Sequence, residues 1–268
     1  MRKSLVVICL CISFRVCAQD VTQVINAEKA FAAYALEHNT KEAFLKYMDS
    51  TGVVFGKGKP QNAIEVWKAN KVSPIKLLWT PAFAGISISG DLGFTTGPWE
   101  AKRSLNDTAL AAGEFSSVWK KNSTGEWKNI VDLGNDFSMP AYPVQKIKTA
   151  PTVKTKAPAR MEALEIDRDF IKVYSEKGPA AFLNFLMNDT WLNMGGHQPY
   201  ASAPEHKKVI GEIPAGLIMH PLGGGLSAAH DIAYVYGSTD FGGKTENYLR
   251  VWQHTFSGWK IILQVLKW

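Results

Sequence analysis

The chain repeats itself on either side of a proline-rich joint, and this constrains its fold more than any other feature. Residues 79–97, from Trp79-Thr80-Pro81 to Gly97, align without a gap on residues 219–237, from Met219-His220-Pro221 to Gly237. Pro81/Pro221, Gly85/Gly225, Ser87/Ser227, Asp91/Asp231 and Gly97/Gly237 are identical pairs. Further on, Val118-Trp119 matches Val251-Trp252, and Trp127-Lys128 matches Trp259-Lys260. The same segments in the same order call for the same structural unit built twice.

Each unit opens with helical spacing and continues with strands. Ala27, Phe31, Tyr34 and Ala35 share one helical face, and Phe44, Tyr47 and Met48 belong to a second short helix. In the second half Phe170, Val173 and Tyr174 repeat the pattern, followed by Phe182, Phe185 and Leu186 after the Gly178-Pro179 break. A short strand comes next (52–55; 190–194), with a further helix over 63–70 in the first half. Several strands separated by turn residues then follow. Thr124-Gly125 and Ser257-Gly258 fall where the last hairpin of each unit needs a turn. Helices first and an antiparallel sheet afterwards make an α+β plan, used twice.

The joint, residues 139–160, carries prolines and five basic residues (Lys146, Lys148, Lys154, Lys156, Arg160) without an acid. It is expected to be an extended, semi-rigid, solvated spacer between units at 19–138 and 161–268, with anionic-surface binding as the sharper alternative. At the other end, Met1-Arg2-Lys3, an apolar run over 5–14 and Val16-Cys17-Ala18 have the layout of a secretory signal peptide cut after Ala18. The apolar run is too short to span a bilayer. The expected location is therefore periplasmic or secreted, with no membrane anchor after cleavage. The three cysteines, Cys9, Cys11 and Cys17, all lie in this leader, which leaves no disulfide or thiol chemistry. The net charge of +6 divides the same way: +3 on the leader, +5 on the joint and −2 over the two units. Neither unit has the basic balance that phosphate contacts require, so nucleic acid is not an expected partner.

Three stretches of the first half resemble a known family. Asp91-Leu-Gly-Phe-Thr-Thr-Gly-Pro-Trp-Glu100, Gly113-Glu-Phe-Ser-Ser-Val-Trp-Lys-Lys121 and Gly125-Glu-Trp-Lys-Asn-Ile-Val-Asp-Leu-Gly134 are similar to strands of the NTF2-like superfamily, and more narrowly of its SnoaL-like and DUF4440 groups. The second half keeps Tyr248-Leu-Arg-Val-Trp252 and Gly258-Trp-Lys-Ile-Ile-Leu-Gln264. It has Gly237-Ser-Thr-Asp240 in place of Gly-Pro-Trp-Glu, and Gln264 in place of Asp132. The resemblance implies two cone-shaped domains, each a curved antiparallel sheet wrapped around helices with a cavity open at one end. It also implies that the two could pack as a pseudo-dimer within one chain. It does not imply one function.

Alternation along the strands puts Phe115, Ser117 and Trp119 on one face and Glu114, Ser116 and Val118 on the other. Tyr248, Arg250 and Trp252 match the first face; which face is concave stays open. The same alternation groups Lys128, Ile130 and Asp132. Candidates for the first pocket are Tyr34, Trp67, Trp79, Trp99, Trp119 and Asp132. Core packing is the competing reading for each aromatic, and an exposed strand end for Asp132. An acid in an apolar strand that is buried would have its pKa raised into general-base range. In the second half the candidates are Tyr174, His220 at a cavity mouth, Arg250 as an anion clamp and Trp252, set against an exposed arginine lying on Trp252.

No metal site is expected, because the histidines lack ligand spacing. Gly223-Gly-Gly225 lacks the context of a phosphate loop, no nucleophile elbow is present and no cofactor is implied. Two functions remain. One is a binder of a small, partly apolar molecule. The other is an isomerase- or dehydratase-type enzyme with Asp132 as base and Tyr34 or Trp79 orienting a carbonyl or cyclic substrate. A further reading makes the second unit a pocketless interaction module.

Overall fold

The computed structural model describes residues 20–137, 140–153, 155 and 162–268; the expected signal peptide, with its expected cut after Ala18, lies outside them. The first unit runs α1 (Thr22–Glu37), α2 (Thr40–Tyr47), β1 (Met48–Gly56), β2 (Lys59–Asn62), α3 (Ala63–Ala69), β3 (Lys76–Trp79), β4 (Phe83–Ile86), β5 (Leu92–Lys102), β6 (Ala111–Lys121), β7 (Trp127–Asp132) and β8 (Asn135–Phe137). The joint contributes β9 (Lys148–Thr149). The second unit runs α4 (Ala163–Lys177), a 3-10 turn, α5 (Phe182–Phe185), β10 (Leu186–Met194), α6 (Ala203–Ile210), β11 (Ile218–Leu226), β12 (Ile232–Phe241), β13 (Lys244–Thr255) and β14 (Gly258–Leu266). Both units are α+β. Among the described residues, no helix is long and apolar enough to cross a membrane.

The repeat is visible in the pairing. The first sheet is ordered β2-β1-β7-β6-β5-β4-β9, with β3 also on β5 and β8 on β6; the second is β10-β14-β13-β12-β11. In each, the strand after the opening helices pairs in parallel with the last long strand; the other pairings are antiparallel apart from β4 with β9 of the joint, which is parallel. Ser117 sits opposite Asp132, and Arg250 opposite Gln264. A bulge follows at the same place in both, between Val118 and Trp119 and between Val251 and Trp252. The extra residue bends the strand and adds twist, which curls the sheet over its helices. The conserved spacing of Gly97 and Gly237 has a steric cause. A Cβ there would lie 2.0 Å from the Thr80 carbonyl oxygen in one unit and 2.1 Å from that of His220 in the other.

Three apolar clusters hold the chain together. Val24, Phe31, Ala35, Phe44 and Trp119 fill the concave side of the first sheet, and Phe170, Tyr174, Phe182, Tyr248 and Trp252 that of the second. The third lies between the outer faces of the two sheets, with Phe83, Phe94, Val118 and Val131 against Trp191, Leu249, Val251 and Leu263. The concave face of β6 is thus the Phe115/Ser117/Trp119 face, and that of β13 is the Tyr248/Arg250/Trp252 face.

Polar contacts between the units are reciprocal. Asp231 Oδ2 accepts from the Ile88 amide at 2.8 Å, and its repeat partner Asp91 accepts from the Ala228 amide at 3.0 Å. Buried Glu114 receives Trp191 Nε1 at 3.1 Å and the Tyr142 hydroxyl at 2.9 Å, and burial pushes its pKa up to about 8. In the described part of the joint the Lys146 and Lys148 side chains are exposed, while the Lys148 and Ala150 amides bond the Ala82 and Ala84 carbonyls and Gln253 Nε2 donates to the Pro151 carbonyl at 2.7 Å. Its backbone groups satisfy partners on both units instead of water.

Candidate functional site

A cavity of about 300 Å³ opens on the concave side of the first sheet, lined by Phe31, Phe44, Leu77, Trp79, Trp99, Phe115, Asp132, Gly134 and Asp136. Each wall follows from the elements. Helix α1 delivers Phe31, whose ring meets Phe44 of α2 at 4.8 Å and Trp79 of β3 at 4.9 Å, both edge-on. Trp99 of β5 lies across Gly113 of β6, where a Cβ would come within 2.7 Å of its indole. This glycine lets the ring lie flat against the sheet and form the wall.

Asp132 ends β7 and borders the cavity. Its Oδ2 accepts from Ser117 Oγ at 2.8 Å and from Asn129 Nδ2 at 3.2 Å. Burial pushes its pKa up to about 6, although those two bonds pull the other way. The bulge explains its neighbours. Strict alternation grouped Asp132 with Lys128 and Ile130, but Asn129 and Asp132 share the inward side, while Ile130 packs with the inter-sheet cluster.

Behind the Trp79 wall lies a second acid, which sequence reasoning missed. Glu28 of α1 is fully buried and accepts from Trp79 Nε1 at 2.6 Å, Thr95 Oγ1 at 2.6 Å and Trp119 Nε1 at 2.9 Å. Burial raises its pKa to about 7, and the Asp132 charge adds to the rise. The available signal was an acid three residues before the helical phenylalanine in both units, Glu28/Phe31 and Asp167/Phe170.

A more polar cleft of about 290 Å³ shares Phe44, Asp132 and Gly134 with the cavity. It is also bordered by Lys57, Trp67, Glu246, Asn247 and Lys267, so the second unit supplies part of its wall. Trp67 stacks on Phe44 at 4.2 Å, and its indole nitrogen is buried without a hydrogen-bond partner.

Trp79, Trp99 and Asp132 therefore meet in one cavity, and Trp67 borders the adjoining cleft. Trp119 is in the core, its nitrogen bound by Glu28. Tyr34 stacks on His38 at 3.9 Å under the Lys46 ammonium and does not line the cavity. In the second unit Tyr174 is core, its hydroxyl donating to the Pro214 carbonyl at 2.8 Å, and burial raises its pKa to about 12. His220 lies on the outside of β11, 3.0 Å from Asp240. Arg250 is neither an exposed residue nor an anion clamp. It is fully buried, with Nη1 donating to Asp167 Oδ1 at 2.6 Å and Nε to Gln264 Oε1 at 2.5 Å. Trp252 and Tyr248 donate to the same Asp167. The interior of the second cone is filled by its own charge pair.

No family model matches the chain, and no curated protein matches it. Among solved structures it is similar to an NTF-2 like protein of unknown function from Shewanella oneidensis MR-1, at 20% identity over 42% of this chain and 96% of the other, TM-score 0.34. It is also similar to an NTF2-like protein from Cytophaga hutchinsonii, at 15% identity over 38% and 91%, TM-score 0.30. A ketosteroid isomerase-like protein from Erwinia carotovora atroseptica aligns at 12% identity over 39% and 92%, TM-score 0.32. Each alignment spans well under half of this chain and nearly all of the other. The architecture described above rests on the chain's own sheet registers.

Proposed function

We propose that the first unit binds a small, partly apolar molecule in its aromatic cavity, with a polar end against Asp132. The carrying observation is the enclosure of Asp132 by Phe31, Phe44, Trp79, Trp99 and Phe115 around about 300 Å³, at the small end of ligand-site volumes. In this reading the chain is an exported tandem of NTF2-like domains of the DUF4440 and SnoaL-like type, divided at 19–138 and 161–268. The second domain is a filled packing module, and the reciprocal Asp91 and Asp231 contacts support an intrachain pseudo-dimer.

A second reading makes the first domain an isomerase- or dehydratase-type enzyme with Asp132 as general base. It is favoured by the pKa of about 6, which keeps the carboxylate ionised near neutrality and basic enough to take a proton. One experiment tests both. A thermal-shift screen of small cyclic alcohols, ketones and amines against the wild type and Asp132→Asn is expected to find compounds that stabilise the wild type by several degrees. If no compound class does so, the binding reading fails. If a hit is converted by the wild type and bound but not converted by Asp132→Asn, the enzyme reading replaces it.

A further inference from the structure

The second unit shows what the first lacks. Arg250 makes three polar contacts: Asp167 Oδ1 at 2.6 Å, Gln264 Oε1 at 2.5 Å and Met219 Sδ at 3.4 Å. Its guanidinium carbon lies 4.1 Å from the Phe170 ring centroid. Every one of these residues has a counterpart in the first unit. Asp167 corresponds to Glu28, since each takes the indole N–H of the matching tryptophan, Trp252 or Trp119. Gln264 corresponds to Asp132 by sheet register, Met219 to Trp79 by the gap-free alignment, and Phe170 to Phe31 by helix spacing. Arg250 itself corresponds to Ser117, which is too short to reach across the cone. Where the second unit holds a guanidinium, the first has a cavity.

The first unit's set of partners is also the more acidic one, with Glu and Asp where the second has Asp and Gln. The cavity lining holds Asp132 and Asp136 and no lysine or arginine. The Lys267 ammonium is on the adjoining cleft, 3.7 Å from Glu246 and 3.5 Å from the Gly134 carbonyl. Lys57 borders the same cleft and is exposed. Half-buried Asp132 and fully buried Glu28 behind it have no paired cation among the described residues, and a cation that reaches Asp132 in the cavity lowers the cost of that arrangement. Aromatic rings around them favour a weakly hydrated, planar cation over a neutral group.

We propose that the cavity of the first unit takes a small organic cation, a guanidinium or amidinium group on an apolar body, seated where the Arg250 guanidinium sits in the second unit. This rests on the binding reading above and names the class of ligand for it. The test compares two near-isosteric probes, phenylguanidinium and neutral phenylurea, by calorimetric titration of the full chain at pH 8 and low salt. Phenylguanidinium is expected to bind roughly tenfold or more tighter. Asp132→Asn is expected to lose most of that preference while still binding phenylurea. Ser117→Arg, which carries its own guanidinium to the same place, is expected to bind neither probe. Equal affinities for the two probes in the wild type overturn the cation proposal and leave the cavity reading standing. Binding of neither probe at millimolar concentration overturns both. Unchanged binding in a folded Ser117→Arg variant places the site elsewhere and also overturns the proposal.

Discussion

At the scale of residues, the chain is marked by carboxyls withdrawn from water, Glu28 and Glu114 fully and Asp132 in part, with no paired cation among the described residues. Asp132, Glu28 and Glu114 are raised by burial from 3.8, 4.5 and 4.5 to about 6, 7 and 8. A raised carboxyl pKa means that, between the unfolded and folded values, the folded chain binds more protons than the unfolded one. Stability contributed by these groups is therefore present at low pH and lost as pH climbs from about 4 to about 8, the reverse of ordinary acid denaturation. Asp132→Asn removes one share of that slope. It should leave the melting temperature nearly unchanged at pH 4 and raise stability at pH 8 by on the order of 1–2 kcal/mol. Calorimetric melts of both proteins across this range check it; a variant less stable than the wild type at pH 8 would count against the account. Asp132 was legible in the sequence because an acid stood out in an apolar strand. Glu28 was not, because on a helix its inward direction depends on where the sheet lies, and an acid in an amphipathic helix reads as solvated.

At the scale of elements, period and turn chemistry gave the opening helices and the later strands in order, but not α6 (Ala203–Ile210), and they put Met48 and Leu186 in helices where β1 and β10 begin. Nor could they give the bulge in β7, which shifted Asn129 to the inward side and moved Ile130 out of the expected group. A one-residue irregularity changes which side chains share a face without leaving a mark in composition. The identical Ser87/Asp91 and Ser227/Asp231 pairs read as repeat signal, and the structure gives their use: each serine hydroxyl bonds its aspartate, and the aspartates cross-bond the other unit. The backbone contacts of residues 140–153 were not legible, because proline and lysine content says nothing about neighbouring backbone. Tyr142 of this segment caps buried Glu114, whose remaining donors are Trp191 and Thr96. Tyr142→Phe should cost about 1–3 kcal/mol by leaving that acid short of a donor. It should also speed proteolytic cleavage within 140–153 relative to the wild type. Equal cleavage rates in the two proteins would contradict the assignment.

At the scale of the whole molecule, two sheets share a register and a bulge and are finished differently. The first cone keeps an aromatic cavity beside two acids, and the second closes over Arg250 and Asp167. The repeat itself was plain in the sequence. The divergence was written at single positions, Ser117 against Arg250 and Asp132 against Gln264, and their meaning depends on which face is concave. Packing between the sheets settles that face, because Val118 and Val251 are turned toward the partner sheet and their neighbours inward. In the proposed function, small molecules bind the first cone and not the second. Crystals soaked with a library of small amines, amidines and cyclic alcohols test it most directly. The account predicts ligand density between Trp79, Trp99 and Asp132, with the Arg250–Asp167 pair intact and no ligand beside it. Ligands gathered around Arg250, or none between Trp79, Trp99 and Asp132, would contradict it.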